Sequence, residues 1–259
     1  MTVKVQGYTI PLSHEEPVEQ SMRILIQGQF GAGKTSLAAT ASELFPYPDE
    51  WPTEKQTEVV LLDDMGWLSF DDKATAGFRE AGITVRNIDI PHLMSNEAAW
   101  KSAGFQRGPS LLEALSFSTN AMMQYKPKWL VIDTISSMDK MLKAYWREKL
   151  KSVRNKYALY DAMLASHSDI YRKFASLGCG LILLCHSKAA VILEDADDVK
   201  EQEMRRTVMS TAAGGNIQPA ITGQAAGMYK AAATLSFAII RETKMIKGKK
   251  VTERYVTLD

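Results

Sequence analysis

Five apolar runs of strand length punctuate the chain: MRILIQG (22–28), EVVLLDD (58–64), ITVRNIDI (83–90), KWLVIDT (128–134) and CGLILLCHS (179–187). Segments of helical composition lie between most of them, near 34–44, 70–81, 108–125, 136–157 and 159–177. Strands that are continuously apolar, rather than alternating, belong in a sheet covered on both faces. Their alternation with helices predicts an α/β fold with a mainly parallel sheet, whose ligands sit at the carboxyl ends of the strands.

The pattern changes after Ser187. Residues 188–230 are rich in charge, glycine and small side chains and read as a mobile loop region, of the kind that in a compact domain is usually functional. Residues 234–259 hold two β-prone segments around Lys247-Gly248-Lys249, which predict a terminal hairpin. Residues 1–21 read as an N-terminal extension, so the expectation is one domain spanning all 259 residues.

Charge and cysteine content narrow the setting. With 31 basic and 30 acidic residues, no global field draws the protein onto nucleic acid or membrane, and any such contact must be local. Cys179 and Cys185 flank one apolar run without a CxxC pair, which fits a reduced compartment and argues against a thiolate metal site. The first residues lack the apolar core of a signal peptide, and no apolar run approaches the roughly 18 residues of a membrane span. A soluble cytoplasmic protein is expected.

The stretch ILIQGQFGAGKTSLAAT carries the clearest chemistry. Gly28-x-x-x-x-Gly33-Lys34-Thr35 is the phosphate-loop pattern, placed after an apolar strand and before a helix. The segment Gly28, Gln29, Phe30, Gly31, Ala32, Gly33, Lys34, Thr35 and Ser36 is the expected phosphate cradle, because glycines let successive backbone N–H groups turn inward around an anion. Lys34 is expected to reach the β and γ phosphates, and the Thr35 hydroxyl to ligate Mg²⁺. WLVIDT supplies the second magnesium carboxylate, Asp133; its alternative role is to cap the next helix, which Thr134 or Ser136 could do equally well.

These motifs, with the run GLILLCHSK, resemble the RecA-like core. More narrowly they are similar to phage-encoded nucleotide-binding proteins of AAA-ATPase-like type, related to RecA-like single-strand annealing recombinases. The resemblance runs from about Met22 to the terminal hairpin. It implies a P-loop NTPase using ATP and Mg²⁺, a choice of base that the absence of a guanine-specific NKxD motif also favours. It further implies that a glutamate polarises water at the end of the strand after the phosphate-loop helix. The matching segment here is LLDDMGWLSF, where Met65 stands in the glutamate's place and leaves Asp63 or Asp64 as the catalytic carboxylate. An aspartate is one methylene shorter, and a misplacement of about 1 Å can cost roughly 10²-fold, so hydrolysis is expected to be slow or to depend on a residue from a neighbouring subunit. His186 matches the family's γ-phosphate sensor, with Ser187 and Lys188 as lesser candidates. Arg241 and Lys244 match the basic residues that such proteins lend to an adjacent subunit.

The resemblance also implies partners: single-stranded DNA, a homo-oligomeric ring or filament, and replication or recombination proteins. Lys140, Lys143, Arg147, Lys151 and Arg154 recur at helical spacing and would form one basic stripe on a helix over 136–157, while Tyr145 and Trp146 pack inward. Arg205 and Arg206 in the loop region are further candidates for DNA contact. Two other readings stand beside the DNA-linked ATPase: a nucleotide-gated interaction module with little turnover, favoured by Met65, and a P-loop small-molecule kinase, which would need an arginine-rich lid.

Overall fold

A computed structural model describes residues 2–5, 8–11, 21–45, 60–71, 78, 82–153, 155, 157–188, 218–219, 221, 224–246 and 249–258. The ordered elements begin with β1 (Thr2–Val5) and β2 (Tyr8–Pro11), which pair antiparallel. β3 (Arg23–Gly28), α1 (Lys34–Ala39), β4 (Val60–Ser69) and β5 (Ile83–Asp89) follow. Next come α2 (Ile90–Ser95), α3 (Glu97–Ser102), α4 (Leu111–Tyr125), β6 (Trp129–Asp133), α5 (Ile135–Lys149) and α6 (Ala158–Ala175). The chain closes with β7 (Gly180–Lys188), the two-residue β8 (Gln218–Pro219), α7 (Ala225–Ala232), β9 (Leu235–Ile246) and β10 (Lys249–Leu258).

The main sheet runs β10-β9-β3-β7-β6-β4-β5, with β8 paired to the end of β7. From β9 to β5 every neighbouring pair is parallel, and β10 returns antiparallel to β9 as the expected hairpin. The fold is therefore of the α/β class, a mainly parallel sheet with helices on both faces and a C-terminal hairpin. The phosphate-loop strand β3 is separated from the Asp133 strand β6 by β7, the strand that carries His186.

Adjacent strand residues point to opposite faces, and both faces are buried. Leu25, Leu130, Ile132, Leu181 and Leu183 pack with α2 and α4 to α7 on one side; Ile26, Val131, Ile182 and Leu184 pack with α1 and Phe78 on the other. This two-sided burial is why the strands read as unbroken apolar runs.

Helix boundaries follow local chemistry. Ser110 and Glu113 form a reciprocal capping box at the start of α4. α1 is shorter than the expected 34–44, giving way to turns after Ala39. The expected helix over 136–157 ends at Lys149, so Lys151 lies beyond α5, and Arg154 falls outside the described residues. The helix expected over 70–81 falls largely outside them too, as do Arg205, Arg206 and the hairpin turn at 247–248. The loop region expected over 188–230 is ordered at its end: α7 carries Tyr229, which is buried and hydrogen-bonded to His167 Nδ1 at 3.0 Å. No helix among the described residues is long and apolar enough to cross a membrane.

Candidate functional site

The parallel strands bring four sequence-distant residues to one edge of the sheet. Gly28 ends β3 directly beside His186 on β7, and Leu184 of β7 lies beside Asp133, the last residue of β6. Asp133 is in turn beside Ser69, at the end of β4. The loop after β3 opens into a cavity of about 760 Å³ lined by Phe30 to Leu37, Asp71, Asp133, Thr134, His186 and hairpin residues Ile239, Arg254 and Val256. That size lies in the range of small-molecule sites.

Glycine is needed in the loop for two reasons. A Cβ on Gly28 would come within 2.9 Å of the Ile239 carbonyl oxygen, so only glycine lets β3 approach β9 this closely. Gly31 and Gly33 hold φ of 71° and 98°, in the left-handed region that side chains disfavour.

Lys34 is buried, and its ammonium donates to the carbonyls of Gly28 at 3.0 Å and Gln29 at 2.9 Å. Burial pulls its pKa down, partly opposed by the nearby Asp133 carboxylate. Its Nζ also lies 3.4 Å from His186 Nδ1. With the ammonium donating, that ring nitrogen is an acceptor and the imidazole is neutral, in keeping with a His186 pKa lowered by burial and then by the Lys34 and Lys140 cations. The His186 backbone N–H donates to Ser136 Oγ at 3.0 Å, tying the end of β7 to the start of α5.

The Thr35 hydroxyl donates to Asp133 Oδ2 at 3.0 Å. The helix-capping alternative for Asp133 is taken by Thr134, whose side chain accepts from Ser137 N at the start of α5. Asp133 is 3% exposed, and burial raises its pKa to about 6 against the opposing effects of Thr35 and Lys34. The peptide bond joining it to Thr134 is cis.

Asp63 and Asp64 are not at this edge, which corrects their expected catalytic role. β4 extends five residues beyond Asp64, with a bulge between Leu62 and Gly66. Met65 lies beside Trp129 and Ser69 beside Asp133, so Asp64 is roughly 16 Å along the sheet from the Asp133 level. At the far edge Asp63 pairs with Arg86 at 2.6 Å and accepts from Tyr125, and Asp64 accepts from Ser42 Oγ and the Glu43 N–H. Met65 is fully buried in the core with Trp67 and Val131. The acidic pair masquerades as a strand end because it sits in the bulge, where the ladder to β5 is interrupted.

The carboxylate that does follow β4 into the cavity is Asp71. The Phe70 N–H donates to the Asp133 carbonyl at 2.7 Å, which fixes the chain just before Asp71 against the end of β6. Its signal was present in WLSFDD, an apolar run ending in two acids, but the earlier acidic pair hid it. Arg254 and Val256 carried no motif signal at all, since only the hairpin's docking on β3 brings them to the loop.

Elsewhere, the expected sites divide. Lys140 and Arg147 are exposed and Lys143 half-buried on α5, whereas Trp146 packs inward and donates to Ser166 Oγ at 2.8 Å, with Tyr145 against it. Ser187 sits in register with Pro219 of β8. Arg241, expected to serve a neighbouring subunit, lies over its own loop: a Cβ on Gly31 would come within 3.3 Å of its Nη1. The side chains of Lys188 and Lys244 lie outside the described residues.

A hydroxyl and a carboxylate are hard oxygen donors, and Mg²⁺ is commonly held by one or two protein oxygens together with phosphate and water rather than by an all-protein cage. No cluster of three or more His, Cys, Asp or Glu side chains able to hold a metal occurs among the described residues. Thr35 and Asp133 therefore fit the ion, and the open cradle beside them fits a polyphosphate.

No protein-family model and no curated protein matches the chain. Among solved structures it is similar to the KaiC-like protein PH0186 from the hyperthermophilic archaeon Pyrococcus horikoshii OT3, with a TM-score of 0.41 and 11% identity over 92% of this chain and 77% of that one.

Proposed function

We propose that the chain is a Mg²⁺-dependent ATPase. The observation that carries this reading is the convergence of Lys34, Thr35 and Asp133 on one cavity at the carboxyl edge of a parallel sheet. Lys34, released from the loop carbonyls, neutralises the β and γ phosphates. Thr35 and Asp133 hold Mg²⁺, which when bound supplies the charge neutralisation that phosphoryl transfer needs. Asp71 orients the attacking water, and His186, beside both Lys34 and the loop, senses the terminal phosphate.

The finer reading is that ATP binding orders the protein as an oligomer on single-stranded DNA during phage recombination or replication. The resemblance of the motifs supports it, together with Lys140, Lys143 and Arg147 on α5, the helix that starts one residue after Asp133. A shift at Asp133 would be transmitted directly to that basic face. The reading of a module with little turnover rested on Met65, and loses that support now that Met65 is a core residue far from the site.

ATP turnover with and without single-stranded DNA, measured on the parent and on Lys34→Ala with particle size in the same buffer, tests both levels. A rate abolished by the substitution supports the ATPase, and DNA stimulation with mutual enhancement of ATP and DNA affinity supports the finer reading. Absence of any Lys34-dependent turnover contradicts the ATPase. Turnover indifferent to DNA contradicts the DNA-linked role.

A further inference from the structure

The hairpin places two arginines directly opposite each other. Arg254 on β10 is in register with Arg241 on β9, so their side chains leave the same face of the sheet. Like charges in this relation repel. Both are exposed, and among the described residues neither has a carboxylate or hydrogen-bond partner. Glu253, next along β10, is turned to the opposite face by the alternation of the strand and hydrogen-bonds with Tyr255.

The pair is aimed at the phosphate loop of its own chain. A Cβ on Gly31 would meet Arg241 Nη1 at 3.3 Å, and one on Gly33 would meet Arg254 Cδ at 4.0 Å. Arg254 lines the same cavity as Lys34, Thr35 and Asp133, and the next register pair on that face, Ile239 and Val256, continues its wall. Two guanidinium groups held over a glycine loop form an anion clamp, because each offers a planar fork of donors matched to phosphate oxygens.

Resting on the reading of the cavity as a nucleotide site, we propose that Arg241 and Arg254 grip the phosphates of the bound nucleotide in cis, so that the terminal hairpin, rather than a neighbouring subunit, completes the anion site. The nucleotide then supplies counter-charge to the pair, and its binding pins β9 and β10 against the loop. Phosphates of a nucleic-acid strand offer the same chemistry. The nucleotide is favoured because both arginines stand over the loop glycines and Arg254 lines the cavity itself.

The test uses Arg241→Gln and Arg254→Gln, which keep much of the side-chain bulk, with Arg254→Lys as the charge-retaining control. ATP, ADP and adenosine are titrated with Mg²⁺ present, and thermal midpoints are recorded with and without nucleotide. Each Gln variant is expected to keep or raise the nucleotide-free midpoint, to lose roughly tenfold in ATP affinity, and to leave adenosine binding unchanged, while the Lys variant recovers part of the loss. Mixing Arg254→Gln with Lys34→Ala chains is expected to restore nothing. Unchanged ATP affinity in both Gln variants overturns the clamp while leaving the nucleotide site standing. Recovery on mixing overturns the action in cis. Loss of affinity for a single-stranded oligonucleotide with ATP affinity intact reassigns the pair to nucleic acid. If the parent binds no nucleotide, the site reading fails first and the clamp with it.

Discussion

The Thr35 hydroxyl donates to the Asp133 carboxylate across 98 residues of sequence, joining the end of the phosphate loop to the end of β6. The carboxylate is nearly inaccessible, and burial raises its pKa to about 6 despite the Thr35 hydroxyl and the nearby Lys34 ammonium. A cation between Thr35, Asp133 and a polyphosphate would supply what it lacks.

Because the folded-state pKa of Asp133 lies above its ordinary value, the nucleotide-free folded protein holds this proton more tightly than the unfolded chain does. Its contribution to stability is fully present below about pH 4 and is lost as pH rises through about 6. Asp133→Asn should remove this slope and stabilise the nucleotide-free protein near pH 7.5 by up to about 3 kcal/mol. The same variant should lose Mg²⁺-dependent nucleotide binding. Denaturant midpoints across pH 4 to 8 check the first effect and a Mg²⁺ titration the second.

Asp71 and Asp64 should separate cleanly. Asp71→Asn is expected to lower kcat by roughly 10²-fold or more while leaving ATP affinity within a few-fold, as for loss of a group that directs water. Asp64→Asn should leave turnover per folded molecule intact and cost about 1 kcal/mol of stability through its Ser42 and Glu43 contacts. Met65→Glu, which writes a glutamate where the sequence pattern asks for one, should destabilise the protein by burying a carboxylate in the core, without accelerating hydrolysis.

The contrast between Asp71 and Met65 marks how far the sequence could be read. The positions of the phosphate loop, Asp133 and His186 at one edge of the sheet were legible because each follows an apolar strand run. Asp63 and Asp64 were read as a strand end because they interrupt β4 at a bulge, and a bulge leaves no period-two signal to distinguish it from one. Two short helices, Ile90–Ser95 and Glu97–Ser102, were left unassigned although Asp89 and Asn96 cap them, since six residues are too few to show helical periodicity. Arg241 was assigned to a neighbouring subunit, and Arg254 was not singled out, because strand order, unlike strand existence, depends on tertiary pairing.

A buried polar network away from the cavity should act on stability alone. His167 Nε2 lies 2.9 Å from Asp139 Oδ1 and Nδ1 lies 3.0 Å from the Tyr229 hydroxyl, linking α5, α6 and α7. Tyr229→Phe leaves one buried imidazole nitrogen unsatisfied and should cost about 1 to 3 kcal/mol. Asp139→Ala should cost more, about 3 kcal/mol or above, by stranding the histidine. Chemical denaturation measures both, and nucleotide affinity of the folded fraction should be unaltered.

The most direct measurement is a calorimetric titration of a non-hydrolysable ATP analogue into the parent and into Lys34→Ala, with Mg²⁺ and with chelator. One saturable site per chain, abolished by the substitution and weakened at least tenfold by removing Mg²⁺, is the predicted result. Equal binding by parent and Lys34→Ala, or binding indifferent to Mg²⁺, would contradict the assignment of Lys34, Thr35 and Asp133 as a Mg²⁺-nucleotide site.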